Sequence, residues 1–128
     1  MILLLDTSTP VCRIGLRENN LTTWHEWEAG RQLAKDLLRH CVDMLADHQR
    51  TLGDLTGVGV FRGPGSFTGL RIGLTVANTM ADGLTVPIVG GLGNDWEAET
   101  IAALQAGKNH HIVLPEYGSE AHITKPRK

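Results

Sequence analysis

Gly57-Val58-Gly59-Val60-Phe61-Arg62-Gly63-Pro64-Gly65-Ser66-Phe67-Thr68-Gly69-Leu70-Arg71-Ile72-Gly73 is the stretch that sets the architecture. Gly57 to Phe61 reads as a buried strand. Arg62 to Gly69 is a glycine-rich turn, and a helix follows from about Leu70 to Leu84. The only charges on that helix are Arg71 and Asp82, so it must be covered on most sides. Gly73, Ala77 and Ala81 recur at i, i+4 and i+8, a flat groove that admits a second helix. Packing within the domain is the plainer alternative.

A strand that enters a helix through glycines can present backbone N–H groups to an anion. The usual nucleotide fingerprints do not fit this turn. A P-loop needs Lys before Ser or Thr, whereas Leu70-Arg71 follows Gly69. The dinucleotide fingerprint needs a third glycine where Thr68 stands, and a nucleophile elbow needs glycine where Pro64 stands. Ser66 therefore reads as a helix cap. The turn reads first as a structural or interface element and second as a phosphate contact.

Upstream, Ile2 to Leu5 is a continuous apolar run, the mark of a strand buried on both faces. Asp6-Thr7-Ser8 closes it. A carboxylate and two hydroxyls there would suit a metal-bound phosphate, or simply a turn in which Asp6 accepts backbone N–H groups. Cys12, Ile14 and Leu16 alternate with Arg13, Gly15 and Arg17, a half-buried strand. Asn19-Asn20 makes the turn into a third strand, Leu21 to Glu28. A helix from about Arg31 to Gln49 gathers Leu33, Ala34, Leu37, Leu38, Cys41, Val42, Met44 and Leu45 into an arc of roughly 180°. Packing on a sheet needs only about 100°. Either the helix is deeply buried, or part of the arc awaits a second protein.

Downstream, Val86 to Val89 reads as a fifth strand. Asn94 with Glu97 suggests a capping box for a helix that reaches Ala106 and stops at Gly107. His111 to Leu114 suggests a last short strand. The tail from Pro115 ends in Lys125-Pro126-Arg127-Lys128.

The 128 residues suit one domain. At 41% hydrophobic and 20% charged, the composition excludes a disordered chain. A net charge of −2 gives no bulk affinity for nucleic acid. Two cysteines, Cys12 and Cys41, are too few for a disulfide framework. No apolar run approaches the length of a membrane span, so the chain reads as soluble and cytoplasmic. His25, His40, His48, His110, His111 and His122 form no metal-binding spacing and read as structural or surface residues. No nucleophile has a recognisable base beside it.

The run Gly63 to Gly73 resembles the signature of the bacterial TsaB (YeaZ) family, and the likeness extends outward. Leu5-Asp6-Thr7-Ser8 with its strands, Asp54-Leu55, and Val86-Pro87-Ile88-Val89-Gly90 also fit, so it covers about residues 1 to 90. The resemblance implies an α/β fold: a single ASKHA (actin/Hsp70-like, ribonuclease-H-like) lobe, a five-stranded mixed sheet with helices packed on it. It implies a non-catalytic scaffold in forming threonylcarbamoyladenosine beside the tRNA anticodon. The partners would be a catalytic paralogue, TsaD, and an ATPase, TsaE, with tRNA reached through the complex. Neither metal nor other cofactor is expected on this chain, ATP being used by the complex.

Family members pair mainly through the two helices that correspond to Arg31–Gln49 and Leu70–Leu84. That implies an interface of Leu33, Leu37, Leu38, Cys41, Leu45, Gly73, Ala77, Met80 and Ala81. The motif loop would be Gly63, Pro64, Gly65, Ser66, Phe67, Thr68, Gly69 and Arg71. Any nucleotide contact would fall on Asp6, Thr7 and Ser8.

Two departures stand out. Relatives usually carry a second domain after the point matched by Gly90, whereas here only a short extension, about 91–128, follows. Pro115 and Tyr117 resemble the family's closing P-x-Y segment, which suggests an internal loss of that domain. Gln32-Leu33 also stand where the family often places His-Ser. The competing expectations are a nucleotide-dependent ASKHA phosphotransferase or hydrolase using Asp6 and Thr7, and a homodimer burying the same helices. A peptidase reading lacks the metal-binding His-x-x-x-His of the catalytic relatives.

Overall fold

The computed structural model describes residues 1–116. β1 (Ile2–Asp6), β2 (Val11–Glu18) and β3 (Leu21–Glu28) form an antiparallel meander. Asn19 and Asn20, both at positive φ, make the two-residue turn between β2 and β3. That turn suits strand twist, and Asn accepts the left-handed conformation at little cost. β4 (Gly57–Phe61) pairs parallel with β1, and β5 (Ile88–Gly91) pairs parallel with β4. The sheet order is β3-β2-β1-β4-β5.

Helices cover both faces. α1 (Leu33–Asp47) and α2 (Phe67–Leu84) share the main core with Leu3, Leu5, Ile14, Val58, Val60 and Ile88. α3 (Trp96–Gln105) joins Leu4, Phe61 and Leu70 in a smaller core on the opposite face. The split between Leu4 and its neighbours Leu3 and Leu5 is the alternation of a strand buried on both sides. α3 sits close to the sheet because β4 offers glycine: a Cβ on Gly59 would lie 2.8 Å from Thr100 Oγ1.

Several expected boundaries move for local reasons. α1 begins after a 3₁₀ turn at Gly30–Gln32 and ends before Gln49, which takes a left-handed φ of 60°. α2 begins at Phe67, three residues earlier than expected, because Ser66 Oγ accepts the Gly69 N–H. β5 starts after Pro87, which has no N–H to pair. The Asn94–Glu97 capping box does not form; Asp95 is the N-cap and bonds through its backbone only. Gly107 does stop α3. At φ 84° its N–H bonds Leu104, and the Lys108 N–H bonds Ala103, a Schellman end. The stretch read as an extension thus supplies α3, whose Trp96 and Thr100 are buried.

His111–Leu114 is not a strand. Side chains stand in for a ladder there. The Ile88 N–H donates to Asn109 Oδ1, the His110 N–H to the Ile88 carbonyl, and the Gly90 N–H to His110 Nδ1. The Asn78 amide both donates to and accepts from the Val113 backbone at 2.9 Å. Arg62 Nε donates to the Leu114 carbonyl, and the Glu116 N–H donates to the Arg62 carbonyl. Residues 109–116 therefore strap the free edge of β5 to α2 and to the end of β4. Tyr117 and the basic Lys125-Pro126-Arg127-Lys128 lie outside the described residues.

Candidate partner surface and the glycine-rich loop

The motif loop joins β4 to α2 and rests on the turn after β1. Thr7, almost wholly buried, donates its hydroxyl to the Gly69 carbonyl at 2.7 Å. The Ser66 N–H donates to the Ser8 carbonyl at 2.9 Å. Three of the glycines mark where α2 and its lead-in touch that turn with no side chain between. A Cβ on Gly65 would lie 2.5 Å from Ser8 Cβ, one on Gly69 would strike the Thr7 carbonyl, and one on Gly73 would strike the Thr7 side chain. Gly63, at φ 135° before a cis bond to Pro64, lies against the Glu116 carbonyl. The loop's composition is thus a packing requirement. Thr68 and Phe67 remain exposed, and the Arg71 guanidinium lies 5.3 Å from the Phe67 ring centre.

The Asp6-Thr7-Ser8 residues come together as a turn. Asp6 Oδ1 accepts both the Ser8 N–H at 2.9 Å and the Ser8 hydroxyl at 2.7 Å. With Thr7 held by Gly69, all three side chains already have partners within the chain. At the helix start, the N–H groups of Ser66, Gly69 and Leu70 are likewise satisfied by Ser8 and Ser66.

The interface set splits. Leu33, Leu37, Cys41 and Leu45 turn into the core, as do Gly73, Ala77, Met80 and Ala81. Only Leu38 is open, at 48% exposure. Within the Gly73/Ala77/Ala81 stripe, Gly73 lets α2 close on Thr7, while Ala77 and Ala81 lie in the core that α1, α2 and the sheet share. Helical periodicity marks an apolar arc but not which half of it the sheet takes.

An open groove does run between α1 and α2. Its first part, about 430 Å³, is lined by Ala34 and Leu38 of α1, by Thr75, Val76, Thr79, Met80, Gly83 and Leu84 of α2, and by Leu52. A second part of about 450 Å³ shares Ala34, Thr75 and Val76 with it and continues to Ile72, Arg71 and Thr68. Met80 thus belongs to both the core and the groove floor. The expected interface set did not include Ala34, Leu52, Ile72, Thr75, Val76, Thr79, Gly83 or Leu84. The mixed Thr/Val/Gly face of α2 carries no periodic apolar signal.

The two cysteines are no nucleophiles. Burial pushes both thiols up to about 12, and for Cys12 the nearby Cys41 and Asp6 add to the effect. Among the described residues, no three His, Cys, Asp or Glu side chains gather to hold a metal.

Residues 26–92 match the model of the family described as TsaD, tRNA N6-adenosine threonylcarbamoyltransferase. The tRNA threonylcarbamoyladenosine biosynthesis protein TsaB of Escherichia coli is 34% identical over 89 residues, which are 70% of this chain and 38% of that protein. The chain belongs to the TsaB (YeaZ) family. TsaB of Buchnera aphidicola is 33% identical over 87% of this chain and 48% of its own length. The solved YeaZ of Pseudomonas aeruginosa superimposes with a TM-score of 0.69 at 30% identity, covering 83% of this chain and 49% of that one. The α/β lobe with its five-stranded mixed sheet is therefore the ASKHA-like fold of YeaZ. The chain spans under half the length of the curated relatives named here. No helix among the described residues is long and apolar enough to cross a membrane.

Proposed function

We propose that this chain is a non-catalytic scaffold for a TsaD-type catalytic paralogue in tRNA threonylcarbamoyladenosine formation, acting in the cytoplasm. The observation that carries the reading is the open apolar groove between α1 and α2, lined by the exposed Leu38. It lies on the helix pair through which the family resemblance implies pairing. The TsaE-type ATPase and tRNA would join through the catalytic subunit, and no cofactor would sit on this chain alone.

Light scattering during size exclusion tests the reading, with the chain mixed with the TsaD-type protein of the same genome. The expected result is a one-to-one complex that displaces any homodimer. Leu38→Arg and Gly83→Arg should abolish it while leaving the circular dichroism melt of the chain unchanged. A complex that survives both substitutions overturns the groove as the site. No complex, even with TsaE-type ATPase, ATP and tRNA present, overturns the scaffold reading.

The enzyme alternative would use Asp6 and Thr7 on a nucleotide. Their engagement with Ser8 and Gly69 favours the scaffold. Magnesium-dependent ATP binding by calorimetry, lost in Asp6→Ala, would reverse that preference.

A further inference from the structure

His25 on β3 and His40 on α1 meet across the space between the sheet and the helix. His25 Nε2 lies 3.1 Å from His40 Nδ1. The ring centres are 5.3 Å apart and the planes differ by only 24°. The two rings are thus nearly coplanar and joined edge to edge, with the contacting nitrogens aimed at one another. That is the geometry of one N–H···N hydrogen bond. A metal bound to both at ~2.0–2.1 Å would need lone pairs that converge beside the nitrogen–nitrogen line.

Trp27 braces the pair. Its ring lies parallel to His40 at 3.7 Å and 10°, and 5.6 Å from His25, which shares its face of β3.

We propose that His25 and His40 form an acid-released latch between β3 and α1. In the neutral pair one ring donates its N–H and the other accepts on its lone pair. A first proton can bind the donor's far nitrogen, and the bond survives with its donor charged. A second proton must occupy the accepting nitrogen. Two N–H groups and two positive charges then face each other, and the latch opens. The two protonations belong to the pair rather than to either ring.

The surroundings favour this order. Burial first, then His25 and Arg39, hold His40 below the ordinary histidine range, while Asp36 and Asp43 pull the other way. Asp36 is partly engaged by Arg39 at 3.2 Å. Opening would free the helix that carries Ala34 and Leu38. This consequence for binding rests on the docking reading; the latch itself does not.

Ring-nitrogen NMR of the full chain between pH 8 and pH 4.5 tests the latch. The expected result is two coupled steps, with the shared N–H signal persisting through the first and vanishing in the second. Intrinsic-rate-corrected hydrogen exchange of α1 should then quicken roughly fivefold, the scale of one lost hydrogen bond. In His25→Gln, the His40 midpoint should move up. Two rings that titrate independently in the ordinary range, with unchanged α1 protection, overturn the proposal. Should His25→Gln fail to fold, the wild-type ring spectra decide alone. Partner binding separates the two readings. Weakening at pH 5 in the wild type but not in His40→Gln supports the link, whereas absence of binding at every pH sinks the docking reading and leaves the latch to the ring spectra.

Discussion

Thr7 sits where three demands meet: its hydroxyl holds Gly69, its carbonyl lies under Gly69, and its side chain fills the space that Gly73 leaves open. Gly73→Ala should lower stability by about 1–3 kcal/mol through overpacking, read from urea midpoints. Thr7→Val should lower it by about 1 kcal/mol through the lost hydrogen bond. Gly73→Ala combined with Thr7→Ala should cost less than the two changes summed, because the second removes what the first strikes. The G-P-G-S-F-T-G string was legible as a specific signature. Its physical cause was not, because Thr7 lies some sixty positions earlier in the chain and meets the loop only once β1 and β4 pair. The plainer sequence readings hold here: Ser66 is the cap and Asp6 serves the turn.

Neighbouring residues on one helix should respond in opposite ways. Leu37→Ala should cost about 2–5 kcal/mol, since Leu37 is wholly buried. Leu38→Ala should stay within about 0.5 kcal/mol in the isolated chain. Denaturant melts of the two variants check the pair. α1 also sets an acid limit. The unfolded chain takes up a proton at His40 near pH 6.5, whereas the folded chain resists it until lower pH. Unfolding therefore binds a proton in that window, and stability should fall as pH drops below about 6.5. The fall should be smaller in His40→Gln, as followed by urea midpoints at pH 7 and pH 5. Element existence was legible throughout the strands and helices, because apolar runs and periodicity are local signals. The expected strand at His111–Leu114 failed because the amides of Asn78 and Asn109 and the ring of His110 supply the bonds that a ladder would otherwise make. The groove escaped because it is built across two helices, partly from threonines.

Across the molecule, the apolar run Ile2–Leu5 and the alternation of Cys12, Ile14 and Leu16 were legible as strands, and the Asn19-Asn20 turn joined the second to the third, whereas the mixed sheet around β1-β4-β5 was implied by the family resemblance. The strap over 109–116 could not be foreseen that way, since it has no repeating conformation. Yet it governs what the sheet can join. With Asn109 and His110 in place, the outer edge of β5 finds its partners inside the same chain. A chain cut after Lys108 would keep every strand and helix and still present Ile88–Gly91 as an open template, the kind of edge that recruits a strand from a neighbour. Such a chain should gain concentration-dependent scattering and a β-sheet infrared band that the full chain lacks. Eight residues without regular structure would then be what keeps one molecule from polymerising with the next.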